Sequence, residues 1–270
     1  MHRRILIVDD HDDLASALAE VFVAQHHEVK AVERRSEAVA LGHLEDFDLV
    51  ITDLDVRPEE RIEPSNGVCL PDMPQPKAGE HIKAFKLCAA NYRRETFDED
   101  ELKALVATVL DYKIRFVDKV EFVKDIRENI QFELPSALSL MHIVLEYLMK
   151  RVEKLGVCKP EQSNLFVALD EAFVNAIKHG NKFDPQKLIR ITADVSPAEA
   201  SFTIEDEGEG FDIDSIPDPL DPENLFKTSG RGVLFIYNIM DEVIYNDRGN
   251  RLTMVKKAPA ENCDPVDAIK

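Results

Sequence analysis

The chain has 270 residues, 44% of them hydrophobic, and 52 acidic against 33 basic side chains give a formal net charge of -19. So acidic a chain repels polyphosphate backbones, and no local basic patch offsets it, which excludes nucleic acid as an expected partner. No apolar run approaches the ~20 residues that a membrane span needs, and MHRRILIVDD turns acidic where a signal peptide would stay apolar, so a cytoplasmic protein without a membrane partner is expected. Cys69, Cys88, Cys158 and Cys263 show no CxxC and no matching Cys/His pairs; the expectation is unpaired thiols, with neither a zinc site nor a disulfide framework.

The length predicts two domains. In the first, Ile5–Val8 is a short apolar strand, Leu14, Leu18, Val21 and Phe22 recur at helical spacing, and Leu49–Ile51 forms a second buried strand. Asp98 can cap a further helix, with Glu101 reaching back, ahead of Leu102, Leu105, Val106, Val109 and Leu110. This alternation predicts α/β wiring on a parallel sheet over residues 1–111. Between Pro58 and Gly79 the periodicity vanishes into a proline-rich irregular segment. Residues 112–132, charged and only roughly striped, are expected to be a linker.

A strong helix follows Pro135 and stops at Gly156, and a second runs from about Glu161 to Gly180. Strands are predicted at Leu188–Val195, Ser201–Glu205, Glu242–Tyr245 and Leu252–Val255, with a helix over Val233–Met240 between them. Together they predict an α+β sandwich over 133–258, one antiparallel-rich sheet covered on one face, and a tail at 259–270.

In LDEAFVNAIKHGN the apolar residues share one helical face, and Glu171, Asn175 and Lys178 fall at i, i+4 and i+7 on a polar stripe. A carboxylate, an amide and an amine so aligned suit Mg-phosphate chemistry: the amide oxygen can ligate a hard cation, the carboxylate can take a proton, and the amine can neutralise phosphate. Downstream, Asp206 ends a strand ahead of Gly208 and Gly210, where a carboxylate can accept from an exocyclic amine. Thr228, Gly230, Arg231 and Gly232 then open a helix whose free N–H groups favour an anion.

These three motifs, in this order, resemble those of the GHKL ATPase superfamily and, within it, the anti-sigma-factor serine/threonine kinases. The resemblance covers about Glu133 to Lys257, with DEGEGFD and SGRGVLFIYNIMDEV similar to the two glycine boxes. It implies ATP and Mg2+ as cofactors, with Glu171 as catalytic base, Asn175 as Mg ligand and Asp206 as adenine reader. Lys178, Gly208 and Gly210 would border the nucleotide, and Thr228, Gly230, Arg231 and Gly232 would hold phosphates beneath a lid at 216–227. It also implies phosphorylation of an anti-sigma-factor antagonist-like protein, a sigma factor as further partner, and a homodimer. The alternative is a non-catalytic, ATP-loaded module that sequesters such a partner. A sensor histidine kinase is disfavoured, because His142 precedes Ile143 rather than an acid and is expected to be a packed helix residue.

The N-terminal run ILIVDD, with Asp53 at the end of the second buried strand, resembles a response-regulator receiver of flavodoxin-like fold. That resemblance implies Asp9, Asp10 and Asp53 as Mg ligands, Asp53 as phosphoacceptor and an upstream histidine kinase as partner. Two departures leave phosphorylation of Asp53 open. Glu95-Thr96-Phe97 stands where receivers carry a Lys-Pro pair before the phenylalanine, and the fourth strand is not recognisable.

Overall fold

The computed structural model describes residues 2–56, 69–72, 76–77, 80–91, 97–118, 126–159, 163–211 and 231–259. In chain order the elements are β1 (Arg4–Asp9), α1 (Ala15–Ala24), β2 (Glu28–Val32), α2 (Arg35–Ala40), β3 (Leu49–Val56), β4 (His81–Cys88) and α3 (Glu99–Tyr112). There follow β5 (Ile126–Pro135), α4 (Leu138–Lys154), α5 (Leu165–Asn175), β6 (Leu188–Val195), β7 (Glu199–Asp206), α6 (Arg231–Ile239), β8 (Glu242–Tyr245) and β9 (Arg251–Lys257).

All nine strands join one sheet in the order β2-β1-β3-β4-β5-β6-β7-β9-β8. The first three are parallel, as the alternating apolar runs predict, but β4 lies antiparallel to β3, so this half is not an all-parallel doubly wound sheet. From β5 to β8 every pairing is antiparallel, as expected for the second half. Between the halves β4 pairs in parallel with β5, from His81 opposite Ile126 to Cys88 opposite Glu133. The expected linker 112–132 is therefore corrected: α3 continues into a π-helical turn at Lys113–Val117, and residue 126 already belongs to the sheet. Its sequence hides this because Arg127, Glu128, Asn129 and Gln131 interrupt the apolar run, and three of them are buried with polar partners.

One core runs unbroken along the sheet face covered by α1, α3, α4, α5 and α6, from Ile5 to Met254. A smaller cluster around Leu6, Val50 and Leu70 fills the opposite face beneath α2. At the seam Phe85 of β4, Phe132 of β5 and Tyr147 of α4 meet with ring centroids 5.9–6.1 Å apart.

Beside these rings lies a chain of buried charges. Lys113 Nζ bridges Asp53 Oδ2 (2.6 Å) and Asp118 Oδ1 (3.3 Å), Asp118 Oδ2 meets Arg151 of α4 (3.0 Å), and Arg151 Nε donates to Glu128 of β5 (2.8 Å). Burial pushes Asp53 up to about 6 against the pull of the Lys113 ammonium, while Asp53 and Asp118 together hold Lys113 well above the usual lysine range despite its burial. A second anchor is Arg3, 1% exposed, which ties β1 to α3 through Glu101 (2.7 Å) and lies 4.2 Å over the Phe97 ring. Asp98 caps α3 as expected, but Glu101 turns to Arg3.

Two further expectations change. Cys69 and Cys88, 19 residues apart in sequence, form a disulfide at the last residue of β4. His142 lies outside the core: its side chain is 60% exposed, Nε2 pairs with Glu146 one turn on (3.2 Å), and its ring meets Phe166 edge to face at 6.2 Å.

Removing one partner from a buried ion chain leaves the remaining charges uncompensated. Arg151→Met should lower unfolding stability by about 3–5 kcal/mol in urea denaturation. A loss below about 1 kcal/mol would show that solvent already screens the chain.

Candidate nucleotide site

The second half builds its cleft at one end of β7, between α5 and α6. Leu165, Ala168, Leu169, Ala172 and Phe173 bury one face of α5, which turns Glu171 and Asn175 toward the cleft. At Asn175 the helix widens into a π-helical turn, Ala176–Gly180, a feature that often marks functional sites. Lys178 and Gly180 still reach the same cavity across that change of pitch.

The cavity, about 630 Å³, is lined by Glu171, Asn175, Lys178, Asp206, Gly210 and Gly232, with Phe211, Tyr245 and Leu252 supplying apolar wall. Phe211 and Tyr245 stack edge to face at 5.4 Å, and burial pushes the Tyr245 phenol up to about 12. A polar rim with an aromatic and aliphatic floor suits a planar base joined to a charged group.

Asp206, the last residue of β7, is 8% exposed. Its Oδ1 accepts the Gly208 N–H (2.8 Å), and its backbone pairs with Asn250, whose side-chain amide donates to the Asp206 carbonyl (2.8 Å). Burial raises its pKa, an effect that the Gly208 hydrogen bond opposes. Gly210 takes φ +79°, and any side chain there would strike the Arg248 carbonyl. Gly232, at the start of α6, faces Glu171 so closely that a Cβ would fall on its carboxylate. The first turn of α6 thus brings its positive dipole end to the polar stripe of α5.

Of the residues expected here, the structure therefore gathers Glu171, Asn175, Lys178, Asp206, Gly208, Gly210 and Gly232. Thr228, Gly230 and the lid at 216–227 lie outside the described residues, and Arg231 is described only as the first residue of α6. The donor set fits a magnesium ion in kind, since an amide oxygen and a carboxylate are hard ligands that share this cavity with an ammonium suited to phosphate.

Three positioning residues escaped the sequence reading. Asn181, fully buried, accepts the Glu207 N–H (2.8 Å) and donates to the Leu188 carbonyl (2.8 Å) and Ser136 Oγ (3.3 Å), pinning the loop after β7 to the end of α5. Asn250 holds Asp206, and Arg248 Nη2 donates to the Gly208 carbonyl (2.8 Å). Asn181 ends the quoted helix motif, which was its one local signal; the other two contacts span 40 or more residues.

In the first half Asp9, at the end of β1, lies opposite Asp53 of β3, and each of the acidic residues expected there is engaged by other groups of the chain. Asp9 accepts three backbone N–H groups at the start of α1, from His11 (3.0 Å), Leu14 (2.8 Å) and Ala15 (2.8 Å). Asp10 Oδ2 accepts the Asp55 N–H (3.0 Å), and its other oxygen pairs with His11. Asp53 is 7% exposed and ion-paired to Lys113. Among the described residues the one cluster of three side chains close enough to share a metal ion is Cys69, Cys88 and Glu133.

A strand-end carboxylate, a glycine loop beside it and a helix N-terminus across the cleft define a nucleotide-binding sandwich. The family model described as Histidine kinase-like ATPase domain matches residues 134–256. The anti-sigma F factor of Geobacillus stearothermophilus is 34% identical over 116 residues, which cover 41% of this chain and 78% of that protein. The serine-protein kinase RsbW of Bacillus subtilis is 26% identical over 155 residues, 55% of this chain and 97% of the relative. RsbW of Staphylococcus epidermidis is 25% identical over 138 residues, 48% and 87% respectively. The chain belongs to the histidine kinase-like ATPase family, in the group that holds the anti-sigma F factors and the RsbW serine-protein kinases. No helix among the described residues is long and apolar enough to cross a membrane.

Asn181→Ala would remove the hydrogen bonds that Asn181 makes to the half-buried Glu207 N–H and to the buried Leu188 carbonyl. Stability in urea should fall by about 2–4 kcal/mol, the lower part of the range for two such groups because one is only half-buried; a change within about 0.5 kcal/mol would deny Asn181 its positioning role.

Proposed function

We propose that this protein transfers the terminal phosphoryl group of ATP to a serine or threonine of a small antagonist-like protein, and in its nucleotide-bound form also engages a sigma factor. The observation that carries the reading is the placement of Glu171 against the start of α6, with Asn175 one turn along the same helix. The likeness to a serine-protein kinase and an anti-sigma F factor supports both halves of it.

In this reading the Asp206 carboxylate accepts from the exocyclic amine of adenine, and the aromatic wall covers the base. Asn175 would hold Mg2+ through its amide oxygen, and the ion supplies charge neutralisation at the phosphates. Lys178 and the N–H groups of α6 neutralise the remaining phosphate charge. Glu171 takes the proton of the acceptor hydroxyl as its oxygen bonds to phosphorus and the bond to the ADP oxygen breaks.

The N-terminal half biases this activity through the seam. Arg151 lies on α4, which packs against the site-bearing α5, so the chain from Asp53 to Arg151 touches the helix pair that sets Glu171. A histidine kinase acting on this half, and a homodimer, remain part of the proposal.

Two experiments test it. Glu171→Gln should retain ATP affinity within about twofold while phosphoserine or phosphothreonine formation on a small cellular protein falls by about 100-fold or more. Equal labelling by both proteins would sink the base assignment, and no labelling by wild type despite ATP binding would favour the sequestering module. For Asp206, the accepting form is the carboxylate, so ATP affinity should weaken as pH drops through its raised pKa. Asp206→Asn should bind about 10–100-fold more weakly at neutral pH, the loss of a charge-assisted hydrogen bond, and should not show this pH dependence in calorimetric titration.

A further inference from the structure

Residues 69–72 form a short strap over the sheet face at the seam between the halves. Arg35 in α2 donates to the Pro71 carbonyl (2.7 Å), and Lys86 in β4 donates to the Leu70 carbonyl (3.3 Å). Gln131 of β5 holds Asp72 from both sides, donating to its carbonyl (2.7 Å) and accepting its N–H (3.3 Å). The strap thus touches the N-terminal half through α2 and β4, and the ATPase half through β5. At its start Cys69 is bonded to Cys88, the last residue of β4.

The surroundings of this pair provide for two states. Cys88 is 1% exposed, and Glu133, its register partner on β5, places Oε2 3.8 Å from the sulfur as an acceptor for a thiol. Cys69 is half-buried, so a small reagent reaches that sulfur first. The same three side chains could in principle share a metal ion. Glu133, however, already faces Lys86 Nζ (3.4 Å) and Arg190 Nε (3.2 Å), and two cations matched to one carboxylate disfavour a third.

We propose that Cys69 and Cys88 are a reversible redox site that makes the strap covalent. The oxidant is the disulfide of a low-molecular-weight thiol. The Cys69 thiolate attacks one of its sulfurs and expels one small thiolate; the Cys88 thiolate then attacks Cys69 of the mixed disulfide and expels the second. The protein dithiol gives up two electrons and two protons, and the small disulfide becomes two thiols. Reduction reverses each step and returns the Cys88 thiol to the Glu133 carboxylate.

The test is to equilibrate the intact protein in oxidised or reduced glutathione, alkylate it, and map the cysteines by mass spectrometry while following thermal unfolding. The expected result is a Cys69–Cys88 linked peptide in oxidised buffer, and alkylation of both residues in reduced buffer. The oxidised protein should melt about 5–10 °C higher, as closing a loop of this size implies, and Cys69→Ser should show no difference between buffers. Both residues alkylated in oxidised buffer would overturn the proposal. So would protection of both in reduced buffer that a chelator relieves with release of zinc, the signature of a metal site instead.

Discussion

The parallel ladder between β4 and β5 is the constraint on which the rest of the molecule depends. It fuses a mixed sheet, three parallel strands with an antiparallel β4, to an antiparallel one, so a single core covers the helical face from Ile5 to Met254. Without that ladder the first half would end on an exposed strand edge, and so would the second. The Phe85–Phe132–Tyr147 cluster fills the space beneath the ladder, and the charge chain from Asp53 to Glu128 lies next to it. Apolar packing supplies the attraction at such a seam; a fully paired ion chain supplies the registry, because any slip would leave charges buried alone.

The nucleotide cleft inherits its rigidity from this frame. Asp206 sits at the end of a central strand, and Asn250 and Asn181 fix the backbone on either side of it. Neither asparagine needs to touch a ligand. Each satisfies buried backbone groups where a strand ends and a loop begins, which is where unpaired N–H and C=O groups would otherwise cost most. Glu171 and Gly232 come from helices some 60 residues apart, and the closeness of their approach is possible only because Gly232 has no side chain.

The acids Asp9, Asp10 and Asp53 of the N-terminal half are each engaged by other groups of the chain. Asp9 satisfies the start of α1, and Asp53 anchors Lys113 at the seam. The lysine expected near Glu95 is absent from the sequence, and an ammonium reaches Asp53 from position 113 instead, just beyond the last helix of this half. β4 lies antiparallel to β3, so the chain re-enters the sheet from the opposite direction.

Local pattern alone determined a good part of this. The helices α3, α4 and α5, the strands β6 to β9 and the ATPase motifs were all legible, because apolar period, caps and glycine spacing are written within a dozen residues. The strands β2 and β5 were not, since β2 is largely exposed and β5 carries polar residues whose partners lie far away in sequence. Tertiary structure alone decided the fused sheet, the Cys69–Cys88 bond, the outward turn of His142 and the pairing of Asp53 with Lys113, 60 residues apart. Each depends on which surfaces meet once the core closes, and a one-dimensional pattern carries no signal for a contact whose energy exists only after both partners are buried.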